Sequence, residues 1–456
     1  MTDMIDAFVV HAQNTQFSDL PDAAVDAVKT YLLDTLGVGI AGAAVPLTQA
    51  VRRSAGQWAQ TGSANVWGAG GYQTTPANAA FVNGFQIHCQ EYDCVHEPAV
   101  VHPLATILSA LMAECDAQGE ISGPEFAVSL SVAVDLAAGI GVSVSSPIKF
   151  FRPANAGIFG ATLGVSRLRG FSSEHTKDAL GYALAFNSGT MQAHVEGKPA
   201  LPIQIGNAAR GAIMACDLAE QGLPGPHDSL EGPFGYFALF EDVADPSAVL
   251  ADLGKVWRVA EISHKPFPTG RAAQGGIVLM QKLRELGVKA SEVETLSLTA
   301  PPLIYRLVGR PATQDMSVNY ARLCFQYSGA VALKKGSVEL VDFTETQLRD
   351  PDTRALGARI TVIDDGSPDP AAFVPQVAVA TLKDGREVEA RIDTLYGSPS
   401  DPMSHEAHLK KFRTCVAFGF GETKPDLTRR LIELTDTLEA LPDVSILSRL
   451  AAGMET

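Results

Sequence analysis

The chain has 456 residues, 46% of them hydrophobic and 19% charged. That is enough apolar material for a large core, in one big or two ordinary domains, and it excludes a disordered or fibrous chain. Its 35 basic residues stand against 51 acidic ones, a net charge of −16, and no Lys/Arg run breaks that balance. Nucleic-acid and membrane-surface partners are therefore not expected.

In chain order, Met1-Thr2-Asp3-Met4-Ile5-Asp6 has neither the basic start nor the apolar stretch of a signal peptide. No run reaches the roughly 18 to 20 uninterrupted apolar residues of a membrane span. Pro21 opens a helix whose apolar spacing holds over residues 24–36. Further helices are predicted over 104–117, 124–142, 174–186 and 205–221. Residues 126–140 are apolar nearly all round, which places that helix among others. The texture changes after His264-Lys265-Pro266-Phe267-Pro268. A helix over 271–286 precedes strands predicted at 293–300, 338–341, 358–363 and 377–382. Lys383-Asp384-Gly385-Arg386 then makes a tight hairpin into 387–392. Residues 405–441 return to helices. The pattern predicts a mainly α protein: a helical domain from residues 1–265 and 397–456, with an α+β domain, 266–396, inserted between. The six cysteines (89, 94, 115, 216, 324 and 415) form no C-x-x-C pair, so neither a disulfide framework nor a metal cradle is expected, and the localisation expected is cytoplasmic.

The densest polar stretch runs from Asn83 to Pro103 and holds His88, Glu91, Tyr92, Asp93, His96 and His102. Pro103 suits a first helical turn, which puts His102 at a helix N-terminus, where an imidazole pKa falls and anions are attracted. Such residues can simply cap a helix, but this clustering favours chemistry. No helical i, i+4 His pair is present and Glu91-x-Asp93-x-x-His96 fits no ligand template, so no metal is expected. Lys198 and Lys265 stand beside Pro and Gly in segments poor in charge. Lys265 lies at the domain junction, where ligand clefts are common. Cations in a cleft of an acidic protein would draw in a carboxylate-rich substrate. No P-loop, dinucleotide fingerprint or nucleophile elbow occurs. Cys94, beside Asp93, is poorly placed to become a thiolate.

Several short runs, in order, resemble the MmgE/PrpD family, which includes 2-methylcitrate dehydratase, cis-aconitate decarboxylase and iminodisuccinate epimerase. They are Leu33-Asp34-Thr35-Leu36-Gly37, Ala79–Gly84 with His88, the acidic segment ending at His102-Pro103, and Ala156–Ala161. Ile205–Arg210, Lys265–Pro268, Phe325-Gln326-Tyr327 and Gly397-Ser398-Pro399 with Asp401-Pro402 complete the set. The resemblance spans nearly the whole chain. It implies a helical domain with a smaller lid domain, a homodimer, and a cleft site that needs no cofactor.

Asp93, His102, Lys198 and Lys265 match family site residues, and Glu91 stands where the family commonly has Asp. Three positions depart from the pattern. Asp-Asp-Thr becomes Asp93-Cys94-Val95, Arg152 replaces a His, and Gln274 stands where another His is expected. Family reactions build charge on a carbon next to a carboxylate, so cations are needed where it develops. Lys198, Lys265, Arg271 and Arg152 are assigned that role and the grip on substrate. His102 is the proton carrier, with Asp93, Glu91 or His96 as orienting partner. His88 and Tyr327 are assigned to substrate binding, while Arg306 and Arg310 are read as solvated. The resulting expectation is a cofactor-independent, dehydratase-type lyase on a small di- or tricarboxylate. The alternatives are an epimerase, isomerase or decarboxylase of a similar acid, or a lapsed enzyme that only binds carboxylates.

Overall fold

A computed structural model describes residues 3–59, 61–369 and 371–454. The chain is mainly helical, and among the described residues one sheet has more than two strands. The helices that position the site are α1 (Asp22–Gly42), α2 (Pro76–His88), α3 (Pro103–Gln118), α4 (Gly123–Val142), α5 (Arg152–Leu168), α6 (Ala200–Glu220), α7 (Arg271–Glu285), α8 (Phe325–Lys335) and α9 (His405–Phe420). Proline occupies the first turn of α2, α3, α4 and α5, where its missing N–H costs nothing and its φ is already helical. Ser122 caps α4 by accepting from Glu125 N at 3.4 Å, which satisfies one of the four orphan donors of a helix start.

The central helices approach closely because glycines line their contacts. A Cβ on Gly206 of α6 would lie 2.3 Å from the Phe81 carbonyl of α2, and one on Gly160 of α5 would lie 2.4 Å from the Ala133 carbonyl of α4. Helix α4 is long and apolar enough to cross a membrane, but 89% of its apolar window is buried in the protein. It is the core helix its all-round apolar face calls for. Its Asp135 is partnered inside by His11, whose Nε2 lies 3.1 Å from Oδ2, and by Arg258 N at 2.8 Å.

Two large hydrophobic cores account for most of the buried apolar residues. The first draws on residues 4–262 and 412–451, the second on residues 267–395. Two contacts cross between the segments: Leu323 packs into the first core, and Leu340 packs with Val38, Ala41, Tyr92 and Cys415 in a small third cluster. The second core lies around α7, α8 and a four-stranded sheet. Its strands are β1 (Val293–Ala300), β2 (Ile360–Asp364), β3 (Gln376–Leu382) and β4 (Glu387–Ile392), in the order β2-β1-β3-β4. β1 runs parallel to β2 with Leu296 opposite Ile360, and antiparallel to β3 with Leu298 opposite Ala378. The hairpin from β3 to β4 turns at Gly385, φ +87°, a conformation only glycine adopts freely.

The strand expected at 338–341 is instead the 3-10 turn Leu340–Asp342. Glu339 N donates to Asp342 Oδ2 at 2.8 Å, a local bond that outcompetes a ladder. The tail returns to helices, α9 being followed by Pro425–Asp436 and, beyond the expected end, Ser445–Ala451.

Candidate active site

The site is built where α2 ends. His88 is the last residue of that helix. The chain then turns through Glu91, at φ +52°, and meets α3 after Val100, at φ +51°. Backbone strain of this kind, on residues other than glycine, gathers at functional sites. The loop is fixed by a bridge to the junction segment: Val95 N donates to Ser263 O at 3.0 Å and Ser263 N returns to Val95 O at 2.8 Å. Lys265 thereby comes to lie beside Glu91 and Asp93. His102 forms the N-cap of α3.

Five ionisable side chains converge here. His88 Nδ1 donates to Asp93 Oδ2 at 3.0 Å, and His102 Nδ1 lies 3.1 Å from the same oxygen. Lys265 Nζ donates to Glu91 Oε2 at 3.1 Å and lies 3.6 Å from Asp93 Oδ1. His88 Nε2 stands 3.5 Å from Glu91 Oε1. Lys265 and Asp93 are fully buried, while His88, His102 and Glu91 line a cavity walled by Val95, Phe151, Leu201, Leu307, Leu323 and Phe373.

The two imidazoles are pushed in opposite directions. Burial disfavours charge on both. At His88 the carboxylates of Asp93 and Glu91 outweigh burial and raise the pKa. At His102 burial, helped by the Lys265 ammonium, outweighs Asp93 and lowers it. Burial also opposes charge on the carboxylates, yet Lys265 brings Glu91 down to about 2, and His88, His102 and Lys265 hold Asp93 well below its usual range. A pair of titratable groups driven apart in this way is an acid and a base. With Nδ1 of His102 turned to Asp93, Nε2 is the nitrogen left for the cavity.

His88, Asp93 and His102 could together hold a metal, since their donor atoms lie within 4.8 Å of one another. However, both nitrogens meet one oxygen at hydrogen-bond length, and Lys265 already supplies the compensating charge. Behind Lys265, Asp34, His264 and His408 form a second such group. There Lys411 Nζ sits 2.8 Å from Asp34 Oδ1, where a cation would go.

Models of the MmgE/PrpD N-terminal domain and the MmgE/PrpD C-terminal domain match residues 6–248 and 267–437. The chain belongs to the MmgE/PrpD family. It is similar to "Cis-aconitate decarboxylase" of Mus musculus, with 27% identity over 98% of this chain and 93% of the relative. The Homo sapiens protein of that name is also 27% identical, covering 98% and 94%. One from Aspergillus terreus is 23% identical, covering 96% and 94%. This family member is thus an enzyme with a small-molecule substrate.

The structure brings His88, Glu91, Asp93, His102 and Lys265 together, and it places Arg271 in the cavity wall. Arg271 is not free to grip a substrate, however, because its guanidinium meets Glu97 at 2.6 Å and donates to the carbonyls of His264 and Tyr396. Lys198 stands exposed at an adjoining pocket. Three expected site residues lie elsewhere. His96 Nε2 meets Glu261 at 2.9 Å and its Nδ1 accepts from Ala99 N, so both nitrogens are used by the loop. Arg152, at the start of α5, is spent on Glu241 at 3.2 Å and on the carbonyls of Ala99 and Ser146. Tyr327 donates to Asp342 O at 2.6 Å inside the second core.

The sequence reading also missed residues. His194 lines the cavity, with burial and Arg310 bringing its pKa down to about 4. Arg310, read as solvated, donates to His194 O at 2.8 Å and lies 3.0 Å from its Nδ1. The signal was His194 four residues before Lys198. Gln274, where a histidine was expected, donates to Phe267 O and Thr269 O. Burial raises the thiol pKa of Cys94, so it is no nucleophile.

Proposed function

We propose that the protein is a cofactor-independent lyase of the dehydratase type, acting on a di- or tricarboxylate. The observation that carries this reading is the pair of adjacent imidazoles, ring centroids 5.0 Å apart, one with its pKa raised and the other with it lowered, against a shared carboxylate. Neutral His102 takes the proton from the carbon next to a substrate carboxylate. Protonated His88 donates to the leaving hydroxyl. Lys265 does not touch the substrate; it keeps Glu91 and Asp93 ionised, and these set the two histidine states. Both proton carriers lie on one wall, which supports elimination over epimerisation, since inversion needs carriers on opposite faces.

A second reading is decarboxylation, as in the names of the relatives. Its support is the apolar cavity wall facing these histidines. A carboxylate held there is poorly solvated, and one proton donor then suffices.

Incubation in D2O with citrate-like and aconitate-like acids, followed by NMR, separates these outcomes. New vinyl signals are expected for elimination, and bicarbonate release would mark the second reading. Deuterium uptake with the skeleton intact, and with neither vinyl product nor bicarbonate formed from any of these acids, would overturn the lyase assignment.

A further inference from the structure

Beside the main cavity, and sharing His88, Glu91, Leu201 and Leu323 with it, lies a smaller pocket reached by Lys198, Asn319 and Arg322. Arg322 is 3% exposed. Its Nη1 donates to the Cys89 carbonyl at 2.8 Å, and its Nε has no hydrogen-bond partner. Among the described residues it pairs with no carboxylate, and neither does Lys198. The other buried cations of this region are already neutralised: Lys265 by Glu91 and Asp93, Arg271 by Glu97, Arg152 by Glu241. A buried guanidinium without a counter-ion is costly unless a ligand supplies one.

We propose that Arg322, with Lys198 at the rim, is the docking point for a second carboxylate of the substrate, so that the enzyme selects acids whose two carboxylates span from the His102 cavity into this pocket. The proposal rests on the lyase reading above and adds the specificity-determining residue to it. Burial brings the Arg322 pKa to about 10, so the group still carries its charge at neutral pH. Arginine suits a planar, two-pronged grip on a carboxylate better than lysine does. Leu323 and Arg322 come from the second segment while His88 and Cys89 come from the first, so a bound dianion would tie the two together.

Calorimetric titration of the whole chain with succinate and with its monoamide, succinamate, tests this. The wild type is expected to bind the dianion at least about tenfold more tightly. Arg322→Gln should bring the ratio to about one. Because that change touches a buried residue, Asn319→Asp serves as the second variant: it places a carboxylate in the pocket to compete with the ligand's, and should likewise collapse the ratio while the fold is kept. A ratio near one in the wild type, or one unchanged in both folded variants, overturns the proposal. Binding is read independently of turnover. A wild type that shows the ratio yet converts no acid in D2O would sink the lyase reading and leave this pocket standing.

Discussion

His88 and His102 share one oxygen of Asp93, yet burial and neighbours drive them to opposite states. His102 falls from its ordinary 6.5 and His88 rises from it. A base with a lowered pKa stays competent until pH drops below 6.5, and an acid with a raised pKa stays competent until pH climbs above it. A plot of kcat/KM from about pH 4 to about pH 10 should therefore show a plateau straddling 6.5 with a limb on each side. His88→Asn should remove the alkaline limb; a profile that rises without limit through alkaline pH contradicts the assignment. Glu91 carries the opposite sign for stability. Lowered from 4.5 to about 2, it contributes stability above pH 4.5 that is lost as pH falls through about 2. Thermal melts of Glu91→Gln should show a shallower loss over that window than the wild type. At this scale the sequence showed His102 through Pro103, and Lys265 through its isolation in a charge-poor run. It could not show that His96 is taken by Glu261, 165 residues away, or Arg152 by Glu241, 89 residues away. Long-range ion pairs leave no local signal.

At the scale of elements, the close contact of α2 with α6 fixes both His88, at the end of one helix, and Lys198, just before the other. Gly206→Ala would drive a methyl to 2.3 Å from the Phe81 carbonyl. Overpacking of this kind costs about 1–3 kcal/mol. A lowered midpoint in thermal denaturation, with KM affected more than kcat, is the expected outcome; an unchanged Tm would mean that the helices can part freely. Helices were readable because their apolar faces repeat over many residues. β1 and the β3–β4 hairpin were readable from alternation and Asp384-Gly385. Residues 338–341 misled because Val-Glu-Leu-Val alternates like a strand, while a side-chain bond from the next residue, Asp342, curls it into a 3-10 turn.

For the whole molecule, the buried group at the junction of the two cores is the main liability. Lys265, at that junction, is fully buried between the carboxylates of Glu91 and Asp93. Removing one partner of a buried ion pair costs about 3–5 kcal/mol. Lys265→Met should lower denaturant stability by that order at neutral pH and by less in acid, where Glu91 and Asp93 can protonate; an equal loss at both pH values contradicts the charge-balance account. The change of texture at His264-Lys265-Pro266 lies between Ile262, the last residue of that stretch in the first core, and Phe267, the first in the second. The counter-charge that Arg322 lacks was not legible in the sequence, because only the folded chain shows which cations are already paired. The central claim is that His102 removes a proton from carbon in this site. It is tested most directly by following carbon-bound proton loss, by NMR in D2O, in wild type and His102→Gln with the acid the wild type converts. The variant should keep ligand affinity while exchange and turnover fall by about two orders of magnitude or more. Exchange that continues at the wild-type rate in the variant would contradict the claim.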